Sequence, residues 1–323
     1  MSFANIIGQD RAIRVLHSML EKDEINGAHL FVGPDSVGKR SVSIEFAKAI
    51  NCEKKGFDAC EECISCSKIN SLNHPDVFII HKEKESSFIK IDKIRDIIYQ
   101  ASLKPYDAKK KIFIIIYAED MNEESQNALL KILEEPRDNQ IFILTTSRVS
   151  GLLPTVISRC KLVKFGLLPQ AQIQELLIKR HGFSEDEAVL FSHMTLGSPG
   201  MAVAFKDKDK IRERDKMLND FFFRKRAMFR EEVCDEKKYS DLKESLQMLL
   251  FWYRDLLISK FTEDKTIFLN MDRIQEIFSY SARFSAEKIE RDITSIINTI
   301  NYVKRNINPK MALFNMALEL ERQ

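Results

Sequence analysis

The segment Ala28-His29-Leu30-Phe31-Val32-Gly33-Pro34-Asp35-Ser36-Val37-Gly38-Lys39-Arg40 decides the fold class. An apolar run of strand length is followed at once by a glycine-bounded loop, and a helical pattern then continues through Ala49. In that order the backbone amides and the helix N-terminus can hold phosphates, and a lysine can reach their outer oxygens. Gly33, Gly38 and Lys39 are therefore the candidate phosphate-binding residues, for ATP or ADP. The loop departs from its pattern at the last position. A working loop places Ser or Thr after the lysine, because that hydroxyl ligates magnesium; here it is Arg40, which cannot coordinate a cation. Ser41 lies one residue on, roughly 100° round the helix.

Working outward, short apolar strands alternate with helical patterns over residues 1–165, the rhythm of a parallel sheet covered by helices on both faces. Strands are predicted at His29 to Val32, Val77 to Ile80, Ile112 to Tyr117, Ile141 to Thr145 and Leu162 to Phe165. The run from Ile112 has no polar alternation, as suits a central strand buried on both faces. Asn122 can cap a helix with Glu123 and Glu124 in its first turn, an apolar stripe of Ala128, Leu129, Ile132 and Leu133, and a stop at Pro136. The second half of an ATPase site calls for acids at the end of the central strand. The chain offers Ile116 and Tyr117 there, with Glu119 and Asp120 only in the following loop, so hydrolysis by this chain is not expected.

After Phe165 the pattern turns helical. Gln170 to Arg180 and Glu185 to Met194 read as two short helices closed by the loop at 196–200, forming a small helical domain over 166–206. The charged stretch Lys206 to Lys216 reads as a solvated linker or helix face. The third domain, 207–323, carries helical stripes at Leu242, Leu246, Leu249, Tyr253 and Leu256 and at Ile289, Ile293, Ile296, Ile300 and Val303, which read as packing faces. Pro309 starts a final helix. The expected fold class is thus α/β plus all-α.

The 323 residues exceed one ordinary core. Fifty Lys plus Arg against 48 Asp plus Glu give a net charge of +2, which does not by itself argue for nucleic acid. The longest apolar runs, Ile112 to Ala118 and Met248 to Tyr253, fall far short of the roughly 20 residues that cross a bilayer. The first residues lack a basic segment followed by an apolar one, so no secretory signal and a cytoplasmic location are expected.

Cys52, Cys60, Cys63 and Cys66 crowd into fifteen residues. In a reducing compartment such a cluster holds metal more readily than disulfides. Two Cys-x2-Cys pairs let a tight turn aim both sulfurs at one ion, and four sulfurs suit closed, structural, tetrahedral zinc. An iron–sulfur cluster would call for a different spacing, and free buried cysteines are the bland alternative. His74 reads as a loop histidine; Cys160 and Cys234 read as ordinary, partly buried thiols.

Assembled, these residues resemble the delta prime subunits of the bacterial DNA polymerase III clamp loader, within the AAA+ superfamily. The likeness rests on Phe3-Ala-Asn-Ile-Ile-Gly-Gln-Asp, Ala28-His-Leu-Phe-Val-Gly-Pro with its phosphate loop, the cysteine module, His74-Pro-Asp-Val, Asn127-Ala-Leu-Leu-Lys-Ile-Leu-Glu-Glu-Pro and Ser158-Arg159-Cys160. It spans the chain and is most specific before residue 165. The resemblance implies an AAA+ sheet domain with a zinc module, a helical lid and a C-terminal collar domain. It makes Arg159 an arginine finger reaching into a neighbour's ATP site. It implies a pentameric ring with gamma/tau-type and delta subunits, acting on a sliding clamp and primer-template DNA. Thr145-Thr146 match a sensor position, whereas the loop at 197–202 lacks the nucleotide-contacting arginine of hydrolysing relatives. This third departure favours a non-hydrolysing subunit. The alternatives are an active gamma-type ATPase, with Glu119 or Asp120 on magnesium, and a zinc-stabilised DNA-binding protein outside any ring. Lys90, Lys93, Arg95 and Lys109 to Lys111 could face DNA or simply be solvated.

Overall fold

The computed structural model describes residues 2–54, 56–83, 86, 88–195, 197–204, 214–216, 218–219, 239–304 and 307–321. Cys234 and most of the stretch 206–216 lie outside them. Packing divides the chain into two units, Met1–Gln172 with Gly197–Gly200, and Ile173–Leu196 with Met201–Gln323.

In the first unit five parallel strands, β1 (Gly27–Val32), β2 (Val77–Ile80), β3 (Lys111–Ile115), β4 (Gln140–Thr146) and β5 (Cys160–Lys164), stand in the order β2-β3-β4-β1-β5. The helices are α1 (Asp10–Glu21), α2 (Lys39–Asn51), α3 (Ile64–Asn70), α4 (Ile91–Ser102), α5 (Glu123–Glu134) and α6 (Pro154–Ile157). Successive strand residues point to opposite faces, and both faces are covered. Phe31, Ile112, Ile114, Ile141 and Ile143 pack with Leu16 of α1 and Val42 and Phe46 of α2. Leu30, Phe113, Ile115, Phe142 and Leu144 pack with Ile94 and Ile97 of α4 and Leu129 and Leu133 of α5. Phe78, Phe113 and Phe142, in register on three neighbouring strands, stack at 5.1 and 4.9 Å. This is the α/β sheet that the alternating pattern predicts.

β3 ends two residues earlier than the apolar run suggests. Tyr117 takes a left-handed conformation, φ 53°, and its amide donates to Thr145 Oγ1 at 3.1 Å. The chain bends there, and Glu119 and Asp120 follow in a short 3-10 turn. Asn122 caps α5 as expected, its side chain accepting from the Ser125 amide at 2.9 Å.

Asp76 fixes the approach to β3. Its buried carboxylate accepts from the amides of Tyr106, Asp107 and Ala108 at 2.7–2.9 Å. Burial would raise this carboxyl, but the three amides and the nearby Lys111 outweigh it and hold it below the ordinary 3.8. A carboxylate held low stabilises the fold above its unfolded pKa, and that contribution is lost as pH falls through the folded value. Asp76→Asn should therefore cost about 2–3 kcal/mol at neutral pH, because its amide cannot accept all three donors. Urea unfolding at pH 7 and pH 3 checks this: the variant should differ less from the parent at the lower pH.

The second unit is helical. α7 (Gln170–His181) leads into it, followed by α8 (Glu185–Met194), α9 (Pro199–Ala204), α10 (Tyr239–Ile258), α11 (Ile274–Ser281), α12 (Ala286–Lys304) and α13 (Pro309–Glu321). The predicted stripes are its core: Leu246, Leu249 and Leu256 of α10 meet Ile289, Ile296 and Ile300 of α12 and Met316 of α13. Ser184 and Glu187 close a capping box on α8. One reading is corrected. Arg214, inside the stretch expected to be solvated, is 2% exposed and pairs with Asp215 and Asp272. No helix among the described residues is long and apolar enough to cross a membrane.

Candidate functional site

Open parallel sheets bind ligands beyond the carboxyl ends of their strands, and that edge gathers the phosphate loop after β1, Tyr117 and Glu119 after β3, Thr146 ending β4 and Phe165 after β5. Gly33 is required there, since a Cβ on it would stand 2.4 Å from the Phe165 carbonyl oxygen. Gly38, φ 100°, supplies the left-handed step into α2. Gln9 clasps the loop to the end of β5, donating to the Val37 and Gly166 carbonyls at 3.1 and 2.6 Å and accepting from the Gly166 amide at 3.1 Å. Gln9 belongs to the opening motif, but only the fold shows what it holds.

Lys39 is 5% exposed, and its ammonium donates to the Gly33 and Pro34 carbonyls, both at 2.5 Å. Burial lowers its pKa, against the opposing pull of Asp35 and Glu119. Arg40 is exposed on the first turn of α2. Glu119 Oε1 accepts from the Ser147 amide and hydroxyl at 2.8 and 2.7 Å, leaving Oε2 buried and without a hydrogen-bond partner. Asp120 pairs with Lys82 at 3.2 Å. Thr145 and Thr146 are buried, and each hydroxyl accepts a backbone amide, from Tyr117 and Arg148 respectively. The segment 197–200 lies against this loop: Ser198 Oγ donates to the Asp35 carbonyl at 3.1 Å and the Gly200 amide to the Ser36 carbonyl at 2.9 Å.

The cysteine cluster closes on itself. The sulfurs of Cys52, Cys60, Cys63 and Cys66 all lie within 4.8 Å of one another. The Cys63 amide points at the Cys60 sulfur and the Cys66 amide at the Cys63 sulfur, each at 3.4 Å, the tight turns expected of the two-residue spacing. The amides of Glu62 and Cys63 lower the Cys60 thiol to about 6, while burial pushes Cys52 and Cys66 up. A closed set of four thiols at this separation fits a tetrahedral metal ion, and the cluster could hold one. His74 is outside it: its Nδ1 accepts from the Asp76 amide at 3.1 Å. The module is tied down by groups that the spacing could not reveal. Lys48, wholly buried in α2, reaches Glu45, Glu61 and Asn70 at 2.6–2.8 Å, Lys109 donates to the Cys52 carbonyl, and Asp58 accepts from the Phe3 amide at 2.9 Å.

Arg159 sits just before β5, at the opposite edge of the sheet from the phosphate loop. Cys160 pairs with Ala28, so a strand's length, about 16–20 Å at 3.3 Å per residue, separates Arg159 from the loop after β1. Its guanidinium donates to the Thr155 carbonyl at 3.0 Å and to Glu134 Oε2 at 2.8 Å, and the side chain is 28% exposed.

The basic residues near the sheet have local partners. Lys90 and Lys93 pair with Glu83, Arg95 with Asp92, and Lys110 bonds Asn26 and the Asp138 carbonyl. Lys111 is buried, donating to the Gln100 carbonyl at 3.1 Å, so it is no part of a basic surface.

Residues 8–168 match the family described as DNA polymerase III, delta subunit, and residues 208–322 match its C-terminal family. The DNA polymerase III subunit delta' of Bacillus subtilis is 30% identical over 326 residues, covering 97% of this chain and 96% of that protein. The subunit tau of the same organism is 26% identical, over 98% of this chain but 60% of its own length. The subunit delta' of Pseudomonas aeruginosa is 34% identical over 134 residues, 41% of each chain. The motifs at the strand ends, the two family matches and a relative aligned almost end to end together place the protein in the DNA polymerase III delta-subunit family, as a clamp-loader subunit.

Proposed function

We propose that this chain is a non-hydrolysing member of a pentameric clamp-loader ring, lending Arg159 to the ATP site of an adjacent gamma/tau-type subunit. One observation carries the reading: Arg159 and the chain's own phosphate loop lie at opposite edges of the same sheet, so a phosphate served by Arg159 must belong to another chain. A guanidinium beside the γ-phosphate stabilises charge developing in the transition state. Because it arrives with a docked neighbour, hydrolysis becomes dependent on assembly.

The chain's own loop is poorly equipped. Its lysine is engaged by the Gly33 and Pro34 carbonyls, its hydroxyl position is Arg40, and Glu119, the acid after β3, is bonded to Ser147. Gly33, Gly38 and Lys39 could still retain ATP or ADP without turnover. The buried Oε2 of Glu119, which has no hydrogen-bond partner, favours the rival reading of an active gamma-type site.

In this reading the four cysteines hold structural zinc, residues 166–206 form the lid, and 207–323 the collar. Support for a collar comes from α13, which buries Leu313 and Met316 yet exposes Met311, Phe314 and Leu318 on its other side. The delta subunit, the sliding clamp and primer-template DNA complete the assembly, in the cytoplasm. ATP hydrolysis by the purified chain, alone and with those cognate partners, tests the proposal. Silence alone, with assembly activity that survives Lys39→Ala, is expected; turnover by the isolated chain that Lys39→Ala abolishes would overturn it.

A further inference from the structure

Two of the segments that carried the family resemblance, 127–136 and 158–160, meet in one ion pair, Glu134 to Arg159 at 2.8 Å. Glu134 is the last residue of α5, where the helix dipole disfavours a carboxylate, and a carboxylate at that end gains from a cation beside it. The pair works together with a backbone group. Glu134 takes one N–H of one terminal guanidinium nitrogen and the Thr155 carbonyl takes one of the other. A guanidinium has five N–H groups in a rigid fork. Its Nε is buried without a partner, so the guanidinium is oriented from its terminal nitrogens alone. Each terminal nitrogen keeps one further N–H, on a side chain that reaches solvent.

From this geometry we infer that Glu134 is a positioning residue: it clamps the Arg159 fork against Thr155 so that the two remaining N–H groups are presented, already oriented, to an anionic oxygen of a nucleotide on the neighbouring subunit. The inference rests on the reading of Arg159 as acting in trans. Glu134 does not touch the nucleotide. It removes rotamer freedom that the arginine would otherwise lose on docking, so its effect falls on the orientation needed for turnover rather than on the neighbour's affinity for ATP.

The test is steady-state ATP hydrolysis by the fully assembled loader with clamp and primed DNA, carrying Glu134→Ala, Glu134→Gln, Arg159→Ala or the double variant. Arg159→Ala is expected to lower kcat by about 10³-fold. Glu134→Ala should lower kcat by about 10-fold to 100-fold with KM for ATP unchanged. Glu134→Gln, which keeps an acceptor oxygen, should recover part of that loss. The double variant should be no slower than Arg159→Ala alone, because a positioning residue has nothing to position once the arginine is gone. Glu134 is exposed, so the thermal midpoint of the isolated subunit should not move. If Arg159→Ala itself is without effect, the trans reading fails and the positioning role with it. If Arg159→Ala is slow but Glu134→Ala matches the parent, or is faster, only the positioning role is overturned; a faster Glu134→Ala would mark Glu134 as a competitor for the guanidinium.

Discussion

On the proposed role of Arg159 in trans, Arg159→Ala should silence the assembled loader while leaving this subunit folded and its assembly with the other subunits intact. The magnitude follows from what is lost. An arginine beside a transferring γ-phosphate is worth about 10³-fold or more in turnover, and Lys161, nearby on β5, is engaged by the Glu24 carbonyl. Removing the side chain also frees Glu134, which is exposed and can be hydrated, so the stability change should stay within about 0.5 kcal/mol. Mixing the variant with parent gamma/tau-type and delta subunits, then measuring ring formation by size and ATP turnover in parallel, separates the two effects. Normal assembly with lost turnover is the expected outcome. Lost assembly would mean that Arg159 is an interface anchor, and unchanged turnover that its charge serves only the pair with Glu134.

With the proposed metal held by the four thiols, Cys66→Ser should release it and destabilise the first unit by about 4 kcal/mol or more, the range reached when a structural metal is lost. Cys66 has no exposure and sits among three other sulfurs, so the change leaves a hydroxyl that binds zinc far more weakly than a thiolate does. The damage should spread, because the module shares Lys48 with α2 through Glu45 and Glu61. Cys160→Ser is the control: Cys160 is outside the cluster, and burial alone pushes its thiol up to about 12. Metal content by elemental analysis and the urea midpoint should both fall for Cys66→Ser and hold for Cys160→Ser. Since burial raises the Cys52 and Cys66 thiols and zinc binds thiolates, zinc uptake by the metal-free chain should release protons and weaken as pH falls.

Much of this was readable in advance, for identifiable reasons. The strand boundaries come from runs such as 77–80, whose apolar residues are bounded by polar neighbours. The start of α5 comes from a capping asparagine followed by two acids. The cysteine site comes from spacing alone, because a two-residue gap constrains the local turn. The end of β3 was not readable. Nothing in Ile116 or Tyr117 discourages a strand, and the break is made by Thr145, 28 residues away, accepting the Tyr117 amide. Charged residues misled in the same manner. Arg214 and Lys111 look solvated in the chain, yet each is buried, with partners supplied by distant residues.

What the sequence determined by itself is therefore whatever depends on neighbours along the chain: period, caps, turns, the phosphate loop with its missing hydroxyl, and the thiol cluster. The tertiary structure alone decided which distant groups meet. It carried Arg159 to the edge of the sheet opposite the loop at 33–38, set Glu134 against it, and buried Lys48 of α2 against Glu61 and Asn70 beside the cysteines. The physical reason is range. Local conformation is governed by sterics and hydrogen bonds within a few residues, whereas ion pairs and orphaned acceptors are settled by strand order and helix packing, which no single segment encodes.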